Sequence, residues 1–342
     1  MSREEHDQGV FLPPRSIIMP QRSRLLLVLV VGIFAVSTAS ILIRFARQAG
    51  VPALMVAAYR LSIATLVLTP IVLRRHLKRP RRSQATAEDG SSTVRPVRSD
   101  FDLTRRDWLA ALASGVFLAL HFATWVSSLD YTTVTSSVVL VTTGPIWVAL
   151  ASWLFLREKL SRPIVIGLIV SVGGGSIVGL SDSAGFGIAG SQLWGDFLAL
   201  AGAWFVAGYL LIGRQLRDRM SLIAYIYIVY GTAAVLLIGL GLASGASFTA
   251  DAAGVPYQPI GLVWLILMAL FPQLLGHSSY NYALRYLPTT YVAVVALAEP
   301  VGTSILAVVL LKELPQPLTI IGASVILIGI AIASWPASRD RS

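Results

Sequence analysis

Apolar residues fall in ten runs along the chain, most of them near 20 residues long, with short polar segments between them. As an α-helix rising 1.5 Å per residue, such a run covers the roughly 30 Å of hydrocarbon in a bilayer. The runs occupy residues 25–43, 53–73, 108–129, 134–156, 164–180, 194–212, 222–243, 260–281, 289–311 and 318–335. Lipid leaves the backbone few other ways to satisfy its polar groups, so ten transmembrane helices are expected. The first run follows Arg22 and Arg24 and superficially resembles a signal peptide. It is too long for a typical signal core and no clear cleavage site follows, so it is read as a retained span. The polar stretch 1–23 reads as a disordered cytoplasmic tail and 336–342 as a second cytoplasmic tail. The insert 74–107 is basic at its start and rich in Ser, Thr and Pro, and is expected to be disordered. A polar Gly/Ser loop is expected at 181–193 and another loop at 244–259.

The pattern is written twice. Moving the stretch 284–330 back by 155 positions lays Leu284 and Tyr286 on Leu129 and Tyr131, and Pro300 on Pro145. Leu311 and Glu313 then fall on Leu156 and Glu158, and Gly322 and Gly329 on Gly167 and Gly174. The shared features are mechanical: a proline in mid-span, an acidic residue closing the span, and glycines in the next one. An internal repeat of this kind decides the fold class.

Composition agrees with a membrane protein. Of 342 residues, 55% are hydrophobic and 13% charged, and the mean hydropathy is +0.73. With no cysteine, disulfides and thiolate metal sites are excluded. A net charge of +10 could suggest nucleic acid, but the charges sit in tails and short loops between apolar runs. With the N-terminus inside, all of the 27 lysines and arginines are cytoplasmic except Arg44, Arg47, Arg60 and Lys312. The positive-inside rule then places both termini in the cytoplasm. Trp108, Trp194 and Trp335 sit at run ends, where their rings favour the membrane interface.

Spans 4 and 9 are equivalent yet five spans apart, so they cross in opposite directions. This predicts an all-α polytopic protein built from two inverted five-helix repeats, 24–180 and 194–335, the architecture of many secondary transporters. The motifs "GPIWVALASWLFLREKL" and "EPVGTSILAVVLLKEL", in register, and "GDFLALAGAWFVAGYLLIGRQL" opening the second half resemble the drug/metabolite transporter superfamily, specifically its EamA-type ten-helix members. The resemblance covers about 25–335, with the insert 74–107 as the main departure. It implies a cell-membrane carrier of small metabolites, often an exporter of amino acids or related compounds. Sugars, nucleotide-linked sugars and cationic drugs are also handled within the superfamily.

Candidate substrate contacts come from polar residues inside spans, where facing lipid is costly. Gln273, His277, Tyr280 and Asn281 fall at i, i+4, i+7 and i+8, a stripe that lines a cavity or bonds a neighbouring helix. Pro272 interrupts the hydrogen-bond ladder at the head of that stripe and permits a bend. His121 and Trp125 lie four apart in span 3. Under the 155-residue offset Trp125 coincides with Tyr280 and His121 lands beside His277, two walls of one chamber or ordinary packing. Glu299 takes the place of Gly144, next to the repeated proline, and could carry a proton or face an ammonium group; the alternative is helix packing. Arg60 reads as structural or snorkelling rather than as an anion site. Trp204, and Ser37, Ser40 and Arg44, border the chamber if the first helix of each half does so. Glu158 and Glu313 read as helix-end groups.

No zinc-protease, rhomboid-like or prenyl-diphosphate motif appears, and "GHSSYN" at 276–281 lacks a third orienting group. No Gly-rich lysine loop for ATP is present. The expectation is a carrier and not an enzyme, with a small-molecule substrate, the bilayer and a proton as partners. It calls for no cofactor, metal or nucleic acid.

Overall fold

The structure is a computed structural model that describes residues 21–77, 103–128, 130–132, 134–181, 190–251, 253–312 and 314–335. Among these the chain is helical, with a single isolated bridge between Ala250 and Pro256 in the loop after residue 243. The helices are α1 (Gln21–Ser37), α2 (Ala39–Gln48), α3 (Ala53–Leu77), α4 (Arg105–Ser128), α5 (Val134–Val141), α6 (Gly144–Ala151) and α7 (Arg162–Ser181). There follow α8 (Gly190–Arg217), α9 (Leu222–Ala243), α10 (Ile260–Met268), α11 (Ser278–Ala283), α12 (Thr289–Ala296), α13 (Glu299–Leu306) and α14 (Pro317–Ala333). Wider π-helical turns at Ser152–Leu156, Ala269–His277 and Ala307–Leu311 join or extend them.

Eight helical stretches among the described residues, some of them broken within, are long and apolar enough to cross a membrane. α7 and α14 are also apolar, but their apolar stretches, Arg162–Val178 and Pro317–Ala333, are shorter. Large apolar side chains such as Val235, Phe155 and Ile169 are left about 70% exposed (71%, 70% and 67%), as lipid contact permits and water does not. The expected tails, most of the insert and the Gly/Ser loop fall on 1–20, 78–102, 182–189 and 336–342, outside the described residues.

The insert's edges are helical, against expectation. α3 runs on through Arg74, Arg75 and His76, cations that suit a helix C-terminus. α4 starts early because Thr104 and Asp107 cap it reciprocally. The Asp107 N–H donates to Thr104 Oγ1 at 3.2 Å and the Thr104 N–H to Asp107 Oδ2 at 3.3 Å.

The first span also differs from one uninterrupted helix: it breaks at Thr38 and resumes to Gln48. Ser37 Oγ donates to the carbonyls of Ile33 (2.7 Å) and Glu299 (3.1 Å), and Thr38 Oγ1 to that of Ala35 (2.7 Å). Such side-chain bonds compete with the helical ladder. Spans 4 and 9 break where their prolines require it. Pro145 cannot donate to Val141, the last residue of α5, nor Pro300 to Ala296, the last of α12.

Element boundaries recur at the 155-residue spacing. α5, α6 and the turn Ser152–Leu156 reappear as α12, α13 and Ala307–Leu311. Each series ends on a residue with left-handed backbone, Arg157 (φ 54°) and Lys312 (φ 60°). α7 and α14 cross antiparallel, with Ser171 Oγ donating to the carbonyl of its own counterpart, Ile326, at 3.4 Å. A Cβ on Gly174 would meet Ile326 N at 2.7 Å and the Gly322 carbonyl at 2.8 Å, so only glycine allows this approach. Toward the centre of the bundle, α4 packs on α8 and α9, and α3 on α9.

Candidate functional site

The helix breaks converge on a cavity of about 670 Å³, a size suited to a small molecule. Its wall takes Ser40 from α2, Gly144 and Pro145 from α6, and Glu299 and Pro300 from α13. At one end it reaches Leu314, 86% exposed; at the other it stops among Tyr209, Leu210, Val292 and Ala293, all buried.

One turn beyond that blind end a polar clamp joins three elements. Glu158 accepts from the Thr289 N–H (3.2 Å) and Thr289 Oγ1 (3.3 Å) at the start of α12, and from Arg214 Nε of α8 (3.4 Å). α12 has no side-chain cap of its own from Pro288, so a carboxylate from another element serves its N-terminus.

A row of rings crosses the cavity wall. Trp125 stacks on His121 (centroids 6.1 Å apart), His121 lies 5.2 Å from Phe122, Phe122 6.1 Å from His277, and His277 6.1 Å from Tyr280. Phe122 and His277 are separated by 155 positions, as are Trp125 and Tyr280, so the row combines residues from equivalent places. His121 Nδ1 is hydrogen-bonded to the Gly202 carbonyl at 2.8 Å, which fixes the ring.

Arg60 stands over the middle of the row. It is 3% exposed, its guanidinium carbon lies 4.6 Å from the Phe122 centroid, and its Nε donates to Gln273 Oε1 at 2.7 Å. Arg60 Nη2, Trp125 Nε1 and Tyr280 Oη are buried without a hydrogen-bond partner. Buried polar groups in folded proteins are as a rule hydrogen-bonded, and these three belong to residues that line the cavity.

Of the residues singled out in the sequence, the structure brings His121, Trp125, His277, Tyr280 and Glu299 to the cavity wall. Gln273 and Asn281 lie behind it, both 0% exposed. Gln273 holds Arg60, while Asn281 donates to Tyr209 (2.6 Å) and Tyr230 (3.4 Å). The π-helical turns at Ala269–His277 widen the helix and shift the register of the four-residue stripe, which assumed 3.6 residues per turn. Trp204 is off the wall too: it is 40% exposed and packs edge-on against Trp147 at 5.5 Å. α8 turns Val206, Tyr209 and Leu210 to the cavity, and two positions along a helix reverse the face. Ser40 lines the cavity, Ser37 binds the Glu299 carbonyl behind it, and Arg44 is exposed.

Arg60, read from the sequence as structural or snorkelling, is buried and lines the cavity, so it does not snorkel to the interface. Its signal was available: a lone charge deep in an apolar run. Phe122 was also missed, although the 155-residue offset pairs it with His277.

Known proteins bear on this geometry. A transporter named only as uncharacterized, from Archaeoglobus fulgidus, is 27% identical over 234 residues, covering 67% of this chain and 76% of that one. Another such transporter, YetK of Bacillus subtilis, is 26% identical over 259 residues, covering 70% and 74%. A solved crystal structure superposes with a TM-score of 0.70 at 19% identity, over 94% of this chain and 99% of the other, a likeness of fold. The sequence model of the EamA-like transporter family matches residues 23–180 and 193–335, and the chain belongs to that family.

Proposed function

We propose that the protein is a secondary carrier that exports a small metabolite, such as an amino acid or related compound, across the cell membrane by alternating access. It is not an enzyme in this reading and uses no cofactor. The cavity carries the proposal: it lies where the two paired helix breaks meet, and its ring row is assembled from repeat-related positions.

The reading takes the chain as ten spans in two inverted five-helix repeats, 24–180 and 194–335. The α7–α14 crossing supports this. Gly167 meets Gly329 and Gly174 meets Gly322, while Ser171 meets its own counterpart Ile326. Reciprocal contacts of that form are what a twofold axis in the membrane plane demands. With basic segments inside, both termini and the Glu158–Arg214 clamp are cytoplasmic, and the cavity mouth at Leu314 is external. Export then requires the clamp to open and the opposite end to close. Glu299, beside the broken helix, is the group assigned to proton coupling or to an ammonium on the substrate.

Counterflow in vesicles reconstituted with purified protein tests the reading, using an equimolar mixture of the twenty common amino acids. A carrier gives saturable uptake accelerated by substrate on the far side. Uptake that is linear in concentration and indifferent to internal substrate refutes it.

A further inference from the structure

We propose that Arg60 is a carboxylate-binding subsite of the cavity and that the ligand is therefore a zwitterion, with its acid group on Arg60 and its ammonium directed to Glu299. The inference rests on the carrier reading and names the chemistry of that same site.

Arginine has five N–H donors and no acceptor. One is used by Gln273 at 2.7 Å, and the flat face is covered by Phe122 at 4.6 Å. These two contacts fix the plane of the group and leave Nη2 buried and bare. An oriented guanidinium with a bare nitrogen suits a carboxylate oxygen, which accepts a charge-assisted hydrogen bond from it. A buried cation without its counterpart is costly, and snorkelling does not relieve a side chain that is 3% exposed.

The neighbouring groups support an acceptor-rich ligand. Trp125 Nε1 can only donate, and Tyr280 Oη is the other orphan on the same wall. The carboxylate available within the protein is Glu299, which lines the same cavity, yet among the described residues no ion pair joins it to Arg60. A guanidinium and a carboxylate that line one cavity without pairing directly are complementary to a ligand carrying both charges. The apolar ring faces between them fit an apolar body.

Four probes sharing a phenyl ring dissect the claim: phenylalanine, phenylacetate, 2-phenylethylamine and phenyl phosphate, titrated against purified protein in nanodiscs. Wild type is expected to bind phenylalanine and phenylacetate. Arg60→Gln should weaken phenylacetate at least tenfold while 2-phenylethylamine changes less than twofold. Should Arg60→Gln fail to fold, Gln273→Glu keeps the test alive. That change places an internal carboxylate at the guanidinium with almost no change of shape, and should weaken phenylacetate by a similar factor. Phenylacetate that fails to bind wild type, or that binds both variants as well as wild type, overturns the subsite. Tighter binding of phenyl phosphate than of phenylacetate overturns the carboxylate assignment. Counterflow on the same preparations keeps the two readings apart. Exchange that survives unchanged in Arg60→Gln removes the subsite and leaves the carrier; probe binding without any exchange removes the carrier and leaves the subsite.

Discussion

Replacing Glu158 with alanine tests how the blind end of the cavity is held shut. In the structure its carboxylate does three things at once: it caps the first N–H of α12, accepts from the Thr289 hydroxyl and pairs with Arg214. The distances, 3.2, 3.3 and 3.4 Å, are at the long end for charged groups, and the pair is partly exposed at 27% and 18%. A helix cap is worth about 1 kcal/mol. A part-exposed ion pair adds roughly 0.2–1 kcal/mol. The terms overlap because they share one carboxylate, so about 1–2 kcal/mol is expected in all, a factor of roughly 5–30 in a two-state population. The chain has no cysteine, so Ala293→Cys, at the blind end and 4% exposed, provides a single reporter. A membrane-impermeant thiol reagent added from the Arg214 side labels it only when that end opens. Adding Glu158→Ala should raise the labelling rate about 5–30-fold. Asp218→Ala should not, because Asp218, 58% exposed, meets only the outer side of Arg214. A rate within twofold of the parent in the Glu158→Ala protein would mean that the clamp does not hold this end.

Four further outcomes are expected. Glu299→Gln preserves the fold, checked by thermal stability, and flattens the dependence of flux on pH; superimposable profiles for wild type and variant rule out a titrating role. Gly329→Val forces a Cβ to 2.6 Å from Ser171 N and lowers stability by about 1–3 kcal/mol, whereas Gly173→Ala, with nothing within 4 Å, leaves the melting temperature unchanged. Equal melting curves would disprove the close crossing. A reporter fused at Arg341 gives a cytoplasmic signal, and trimming residues 80–98 leaves transport intact; a periplasmic-type signal overturns the orientation.

Much of the fold was legible because its determinants are local and duplicated. Pro145 and Pro300 forecast the breaks in spans 4 and 9 through a missing donor, and the offset that aligned them also aligned Trp125 with Tyr280. The break at Thr38 was not legible, since Ser37 bonds to the carbonyl of Glu299, a partner 262 positions away. Nor was the placement of Gln273 and Asn281: periodicity assumes a uniform helix, whereas Gln273 sits in the π-helical segment around Pro272, and Asn281 is drawn behind the wall by Tyr209 and Tyr230. Arg60, read as structural or snorkelling, is buried and held by Gln273 and Phe122, partners that only tertiary packing reveals. Trp204 went the other way, because aromatic bulk alone does not tell a lipid-facing ring from one facing a cavity.

The division between duplicated and unique residues gives the carrier reading its internal logic. Several parts that would bend or slide are present twice: the proline breaks of spans 4 and 9, the π-helical turns Ser152–Leu156 and Ala307–Leu311, the left-handed residues Arg157 and Lys312, and the glycines of α7 and α14. Two end states made by exchanging the roles of such halves use similar packing, so their free energies stay close and neither becomes a trap. The ligand-facing chemistry is not duplicated. Glu299 stands opposite Gly144, His277 opposite Phe122, and Tyr280 opposite Trp125. A ligand held by both halves at once is bound by the same unique groups whichever end is open, and so with similar affinity in both states. Equal affinity shifts no equilibrium. Under the proposed carrier function, bound substrate would leave the halves free to rock, and its own gradient, or that of a proton on Glu299, would set the direction.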